Sequence, residues 1–514
     1  LATHLLRATA VVGGFTLLSR VVGFVRDLVI AQTFGASASV DAFLVAFKIP
    51  NFLRRLFGEG AFSHAFVPVL SEYKARRTPE ETRQLISATA GALSATLAGV
   101  TLAGILAAPL VVLLFAPGFY QQPEKYALTV TMLQITFPYL LLICLTAFAG
   151  SILNAHGYFA VPAFTPVLLN VCMIAGVWWL APHLEHPIVA LAWTVPVAGV
   201  VQLLFQAPFL ARLRLLPRIS GLRPSAWRAH EGVTRILRLM LPAIFGVSVT
   251  QINLLVDTLM ASFLVTGSVS WLYYADRLLE FPIGVFGMAL STVLLPTLSR
   301  AMAHEDLAAY SGTLNWGLRW VFLIGAPCAA GLLVLAAPLM ATLFFYGQFT
   351  ARDVLMSSYA LMAYTGGLLG FVLIKVLASG FYARQDTRTP VRIGVIAMIA
   401  NITINLLLVW HLHHVGLALA TACSALLNAA LLFLALRRKS WFIPELGWWQ
   451  FLARVAIATL GMATGLMLLQ APLAQWLQWS GGWRILMLTA LIVLGVCVYF
   501  LLLAALGLRP RHLR

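Results

Sequence analysis

Charge is what this sequence has least of. Only 10% of its 514 residues are Asp, Glu, Lys or Arg, against roughly 25% in a soluble protein. Acidic residues are the scarcer kind, 17 against 34 basic ones. A chain so poor in polar surface cannot be a soluble enzyme or a disordered segment, and no polar linker divides it into the several soluble domains its length would call for. Cysteine is also sparse. Cys144, Cys172, Cys328, Cys423 and Cys497 sit in apolar stretches with no CxxC pair, which excludes a metal knuckle and a disulfide framework and leaves buried thiols. HExxH, GxxxxGK[ST] and GxSxG are absent, so an ATP-driven pump or an intramembrane hydrolase lacks its chemistry and the chain reads as no enzyme. His411, His413 and His414 have no Cys or acid nearby and are expected as exposed loop histidines, with no metal site assigned. What the sequence has in excess is apolar: 61% hydrophobic residues and a mean hydropathy of +0.91. An integral membrane protein is what remains. The chain starts at Leu1, and its first apolar segment does not read as a cleavable signal peptide, because Arg20 and Arg26 would lie in the signal's hydrophobic core.

A helix needs about 20 apolar residues to cross the hydrocarbon core. Fourteen such windows fall near 9–34, 40–70, 85–116, 127–153, 160–181, 187–211, 236–265, 270–298, 315–346, 354–382, 390–410, 413–436, 450–470 and 484–507. The second is long for one crossing and carries Pro50, so a kink or re-entrant bend is expected there. Basic residues test this count, since they collect on the cytoplasmic side. With the N-terminus inside, 24 of the 34 fall on the cytoplasmic side, in 71–83, 212–238, 384–392, 437–454, the tail from Arg509, and at Arg7, Arg300 and Arg319. Only Lys125, Arg352 and Arg484 fall in the opposite loops. Both termini are therefore expected in the cytoplasm, and the net charge of +17 reads as a topology signal that needs no nucleic acid.

Seven basic residues remain, all within spans: Arg20, Arg26, Lys48, Arg54, Arg55, Arg277 and Lys375. An internal repeat gives them a frame. FKIPNFLRRLFGEG (47–60) aligns with DRLLEFPIGVFGMA (276–289), matching Lys48 with Arg277 and Phe57–Gly58 with Phe286–Gly287. Six spans separate the copies, so they share an orientation, as in parallel-repeat transporters whose substrate site lies between the halves. The expected organisation is an N-lobe of spans 1–6 (1–232), a C-lobe of spans 7–12 (233–440) and two further helices (441–514). Pro50, Pro242 and Pro282 are candidate hinges.

A charge at mid-membrane costs roughly 2.5–3.5 kcal/mol on insertion scales, so it persists where it meets a partner or a wet cavity. In span 1, Arg20 and Asp27 are seven apart, with Arg26 beside them. In span 2, Asp41, Lys48, Arg55 and Glu59 form one stripe if the helix stays regular, with Arg54 about a quarter-turn away. In span 8, Tyr273, Asp276, Arg277 and Glu280 share a face. Six cations thus face five acids, and arginine's planar fork suits phosphate or carboxylate. An anionic substrate near the middle of the membrane follows, unless the pairs are only interhelical locks. A second group is Asn253 and Asp257 in span 7, Asn401 and Asn405 in span 11, and Thr421 and Ser424 in span 12. One carboxylate among neutral oxygens suits Na⁺ or a transferable proton; interhelical hydrogen bonding is the other reading. Lys375 neighbours either group or snorkels to the interface.

LSRVVGFVRDLVIAQTFG, DAFLVAFKIPNFLRRLFGEGAFSHAFVPVLSEYK and GSVSWLYYADRLLEFPIGVFG, with PAF…PVLLN (162–170) and GFYARQDTRTPV (380–391), resemble the lipid II flippase family (MurJ, formerly MviN) of the multidrug/oligosaccharidyl-lipid/polysaccharide exporter superfamily, over essentially the whole chain. The resemblance implies an all-α fold of two six-helix bundles around a cavity, with two C-terminal helices forming a lipid groove. It implies movement of undecaprenyl-diphosphate-linked disaccharide-pentapeptide from the cytoplasmic to the periplasmic leaflet of the bacterial inner membrane, by a monomer without a cofactor. It puts the substrate arginines at Arg20, Arg26, Arg54 and Arg277, and the acidic cavity residues at Asp41, Glu59, Asp276 and Glu280. In the span-11 pair this chain has Asn401 and Asn405, where family members that bind Na⁺ can carry an acid. A multidrug exporter of the superfamily would favour an acid- and aromatic-lined cavity; a non-transporting scaffold would need no unpaired interior arginines.

Overall fold

The computed structural model describes residues 2–218, 223–228 and 230–508, and their side chains except at 2–10, 58–61, 64, 242–243, 245–250, 288–289 and 291–292. Arg7, Glu59 and Pro242 as side chains, and Arg509, Arg511 and Arg514, lie outside the described residues. Every described element is a helix, and the chain divides into two compact units, Leu1–Gly267 and Ser268–Arg514.

The first unit holds α1 (Ala2–Phe34), α2 (Ala38–Arg54), α3 (Ser63–Arg76), α4 (Pro79–Leu106), α5 (Ala108–Phe115), α6 (Pro123–Thr136), α7 (Tyr139–Ala155), α8 (Ala160–Trp179), α9 (Val189–Arg212), α10 (Pro224–Arg228) and α11 (Glu231–Ser262). This unit takes in α11, whose residues the sequence analysis assigns to the second lobe; α11 lies against α3 and the segment before it. Its core is built on Phe62, Phe66 and Phe148, with ring centroids 5.0–5.9 Å apart. Starts of helices carry polar caps: Ser37 accepts from the Val40 amide ahead of α2, and Thr78 forms a reciprocal capping box with Glu81 ahead of α4.

The second unit holds α12 (Ser268–Pro282), α13 (Met288–Ala303), α14 (Leu307–Val334), α15 (Ala336–Phe344), α16 (Ala351–Thr365), α17 (Leu368–Ala383), α18 (Arg388–Arg438), α19 (Trp448–Leu469), α20 (Leu473–Gln478) and α21 (Gly481–Ala505). α18 is two expected spans in one, broken at His413, where φ is 50° and ψ −132°. Small residues bring α17 and α18 together: a Cβ on Gly370 would lie 2.8 Å from the Ala425 backbone, and one on Gly367 2.6 Å from Ala422 Cα.

Nine helical segments among the described residues are long and apolar enough to cross a membrane. Large apolar side chains stay exposed on them, such as Leu106, Trp179, Leu204, Leu460 and Leu501, as lipid contact requires. The charge-bearing segments at 9–34, 40–70 and 270–298 are helical as well.

The break expected near Pro50 comes a turn later, as a π-helical stretch at Arg55–Phe62 between α2 and α3. The repeat partner has one too, Ile283–Gly287 between α12 and α13, so the two sequence copies share a wide turn at matching places. Pro50 itself stays helical. Lacking an N–H, it leaves the Ala46 carbonyl without its usual donor, and the Thr136 hydroxyl of α6 donates to that oxygen at 3.3 Å. Pro327 does the same to Leu323, whose carbonyl accepts from the buried Tyr499 hydroxyl at 2.6 Å. In lipid no water is at hand to satisfy such a group, so side chains must.

Candidate functional site

In the first unit the span-1 charges form a built constellation. Arg26 and Asp27 are both buried; the guanidinium donates to Asp27 Oδ1 from Nη2 at 2.6 Å and Nε at 2.9 Å, and from Nη1 to Asn170 Oδ1 at 2.9 Å. Asn170 in turn donates to the Ser19 carbonyl at 3.2 Å, fixing α8 against α1. Gly23 allows this approach, since its Cβ would stand 3.3 Å from Asn170 Nδ2. Asp27 therefore partners its neighbour Arg26, while Arg20 is exposed.

The expected stripe on span 2 is dispersed by the π-helical turn. Asp41 is buried and accepts from Lys125 Nζ at 2.9 Å and the Gly267 amide at 2.8 Å. Lys48 donates to Thr258 Oγ1 at 2.8 Å, and Arg55 is exposed. Lys125, counted in the sequence analysis among external loop residues, is buried, with its ammonium 4.1 Å from the Phe119 ring centroid. Arg484, counted likewise, is buried too. It donates to the Ala341 and Phe345 carbonyls at 2.7 and 3.1 Å, neutralising the end of α15.

Arg54 is half-buried and donates from Nε to Asn51 Oδ1 at 3.2 Å. Both line a cavity of about 290 Å³ within the first unit, between α2, α7, α8 and α9. Tyr139, Ser151, Thr165, Gln202 and Gln206 share its wall. The sequence analysis did not single out the two glutamines. Their signal was present: two amides four apart in the apolar run VVQLLFQAPF.

In the second unit Arg277 donates to Glu280 Oε2 at 2.9 Å and to the Tyr273 hydroxyl at 3.0 Å. These are the i+3 and i−4 partners that its face provides; Asp276 is exposed. Lys375 packs on the π-helical turn, where a Cβ on Gly287 would meet its Cδ at 2.9 Å. Asn401 lies with its amide 3.4 Å from Thr421 Oγ1 and 3.5 Å from Ser424 Oγ, and Asn405 donates to Asn401 Oδ1 at 3.1 Å. Asn253 and Asp257 stand on α11 of the first unit, and no described residue donates to Asn253 Oδ1. Among the described residues no cluster of His, Cys, Asp or Glu has a metal-binding arrangement. Of the three expected loop histidines, His414 is buried against the Met356 carbonyl at 3.0 Å, because the break at His413 turns it inward.

This set has the residues for holding an anion in an apolar bundle: arginines aligned by neutral amides. Comparison with known proteins agrees. The model of the lipid II flippase family MurJ matches residues 30–487. A probable lipid II flippase of Vibrio cholerae is 48% identical over 99% of this chain and 98% of its own length. The lipid II flippase of Burkholderia cenocepacia is 45% identical over 99% of each. Among solved structures, a lipid II flippase in an inward closed conformation is 26% identical with a TM-score of 0.81, covering 96% of this chain and 97% of that one. A multidrug resistance transporter of the MOP superfamily in an inward-facing conformation, 16% identical over 82% of this chain and 94% of its own, has a TM-score of 0.64 and shares the fold alone. The chain is thus a multi-pass membrane transporter of a bacterial family rather than an enzyme, and it belongs to the lipid II flippase family.

Proposed function

We propose that this chain carries the headgroup of lipid II from the inner to the outer leaflet of the bacterial inner membrane by alternating access. Arg20, Arg54 and Arg277 engage the diphosphate, Lys48 and Arg55 add positive charge, Asp27 and Glu280 orient Arg26 and Arg277, and Glu59 and Asp276 complete the acidic set. The observation that carries the reading is Arg54, aligned by Asn51 on the wall of a polar cavity inside an otherwise apolar bundle. Arg26 is already paired with buried Asp27, so it acts by fixing the local field and holding α1 to α8. Arg54 and the exposed Arg20 present their charge to the ligand.

A protein route is needed because each charge carried through hydrocarbon costs several kcal/mol. A membrane potential, negative inside, contributes about 2.3 kcal/mol per charge per 100 mV toward outward movement of an anion. Resetting uses Na⁺ or a proton, taken up at Asp257 and Asn253 of α11 or at the Asn401, Asn405 and Thr421 group of α18. The hydrogen-bonded cluster of the last three supports this assignment, as does the undonated Asn253 Oδ1. The fourteen-span topology with both termini cytoplasmic, a monomeric state, and seating of the prenyl tail along α19 and α21 complete the proposal. Wild-type and Arg54→Ala protein are to be compared in a lipid II accessibility assay in cells depleted of their own flippase. Loss of translocation is expected; full activity in the variant would defeat the headgroup clamp. Transport unaffected by Asp257→Ala would remove the coupling site.

A further inference from the structure

We propose that the cavity within the first unit is a subsite for one uncharged sugar ring of the headgroup, recognised through its hydroxyl and acetamido N–H donors. The inference rests on the headgroup reading above and gives it a second contact, apart from the diphosphate.

The wall formed by α8 and α9 is built from fixed, neutral dipoles. Gln202 and Gln206 lie one turn apart on α9, each 1% exposed. Both amide nitrogens are committed to the same residue of α8: Gln202 Nε2 donates to the Thr165 carbonyl at 3.1 Å, and Gln206 Nε2 to Thr165 Oγ1 at 3.0 Å. Thr165 donates its own hydroxyl hydrogen bond to the Val161 carbonyl at 2.9 Å. Gln202 Oε1 accepts from the Tyr139 hydroxyl at 3.4 Å. That leaves Gln206 Oε1, buried, on the cavity wall and without a donor among the described residues.

Because the Thr165 hydroxyl hydrogen is engaged by the Val161 carbonyl, its oxygen is left to accept, which sets the Gln206 amide with its nitrogen on Thr165 and its oxygen toward the cavity. The wall therefore presents an acceptor and requires a donor. A phosphate or carboxylate would set acceptor against acceptor there and is refused. A sugar hydroxyl or an acetamido N–H is accepted. Opposite this wall, Arg54 and Asn51 suit an anion, so the cavity is polarised, with a charge-binding edge and a neutral, acceptor-bearing depth. Its size sets the occupant. A volume of about 290 Å³ equals about ten waters at ~30 Å³ each and sits at the lower end of small-molecule pockets, ~300–1,000 Å³. One pyranose ring fits, and a disaccharide with its peptide does not. Gly150 keeps the space open, since a Cβ there would lie 3.7 Å from Gln206 Oε1 and 3.3 Å from Pro162.

The test uses the full chain in lipid nanodiscs, with native mass spectrometry reading the binding of lipid II and of undecaprenyl diphosphate, which has the charge and tail but no sugar. Gln206→Leu removes the acceptor and is expected to weaken lipid II binding about tenfold, the scale of a lost buried hydrogen bond. Undecaprenyl diphosphate binding should stay within about twofold, a change too small to be a lost contact. The melting temperature of the variant should change little, since the lost hydrogen bond from Nε2 to Thr165 Oγ1 is offset by removal of an undonated buried oxygen. Ala147→Leu fills the cavity from α7 without touching the glutamines and should give the same selective loss, keeping the test decisive if Gln206→Leu folds poorly. Equal weakening of both lipids, or no change in either, would overturn the subsite. Wild-type protein that bound neither lipid would instead overturn the headgroup reading beneath it.

Discussion

The pair Asp41–Lys125 makes the sharpest test of how this bundle holds charge. Both side chains are almost fully inaccessible, at 1% and 4%, with Nζ and Oδ2 2.9 Å apart. Removing one member of such a pair leaves its partner charged and buried, at a cost of about 3–5 kcal/mol, whereas replacing both is near neutral. Lys125→Met strands the Asp41 carboxylate and should bear that full cost. Asp41→Asn keeps an oxygen for the Gly267 amide, and Lys125 retains the Phe119 ring 4.1 Å away; a cation–π contact of about 0.5–2 kcal/mol should make this variant the milder. The double variant Asp41→Asn/Lys125→Met should return to within about 1 kcal/mol of wild type. At roughly 2–4 °C per kcal/mol for a unit of this size, thermal unfolding in detergent followed by circular dichroism should show Lys125→Met melting roughly 6–20 °C lower. A Lys125→Met protein melting within about 1 °C of wild type would refute the reasoning. So would a double variant as unstable as the sum of the two single ones.

Two further outcomes are expected. Tyr499→Phe leaves the Leu323 carbonyl, freed by Pro327, without its donor and should cost about 1–3 kcal/mol, read as a lower melting temperature; an unchanged value would mean that the carbonyl finds another donor. At the start of α11, the His230 ring accepts from the Gly232 amide at 3.1 Å. Burial holds its pKa below the ordinary 6.5, with Glu231 opposing. A lowered histidine pKa means that the cap contributes fully above pH 6.5 and is lost as pH falls below it. Hydrogen exchange at 231–234, corrected for intrinsic rates, should therefore accelerate below that pH in wild type but not in His230→Asn. Equal acceleration in both would remove the histidine from the cap.

Much of the architecture was legible because lipid imposes a simple code. Apolar runs of span length and the FKIPNFLRRLFGEG repeat survive as helices and paired π-helical turns. The interior charges could be found for the same reason, since a charge inside an apolar run is conspicuous. Their partners could not. Arg20 and Asp27 share a helical face, yet Asp27 takes Arg26, because Asn170 of α8 holds the guanidinium there. Lys125 and Arg484 looked like loop residues, since each flanks a span. Asp41, 84 residues away, and the Ala341 carbonyl, 143 residues away, make them structural.

Sequence by itself determined the solvent of this protein, its family, and which few residues bear charge inside the membrane. Those follow from composition and local order, because each apolar residue is read by lipid one position at a time. Tertiary structure decided which charges are spent on structure and which face a cavity. Asp41, Lys125 and Arg484 are enclosed by neighbours distant in the chain, whereas Arg54 lies on a cavity wall beside amides from α9. That division rests on burial and hydrogen-bond partners, which exist only once helices remote in sequence are packed together.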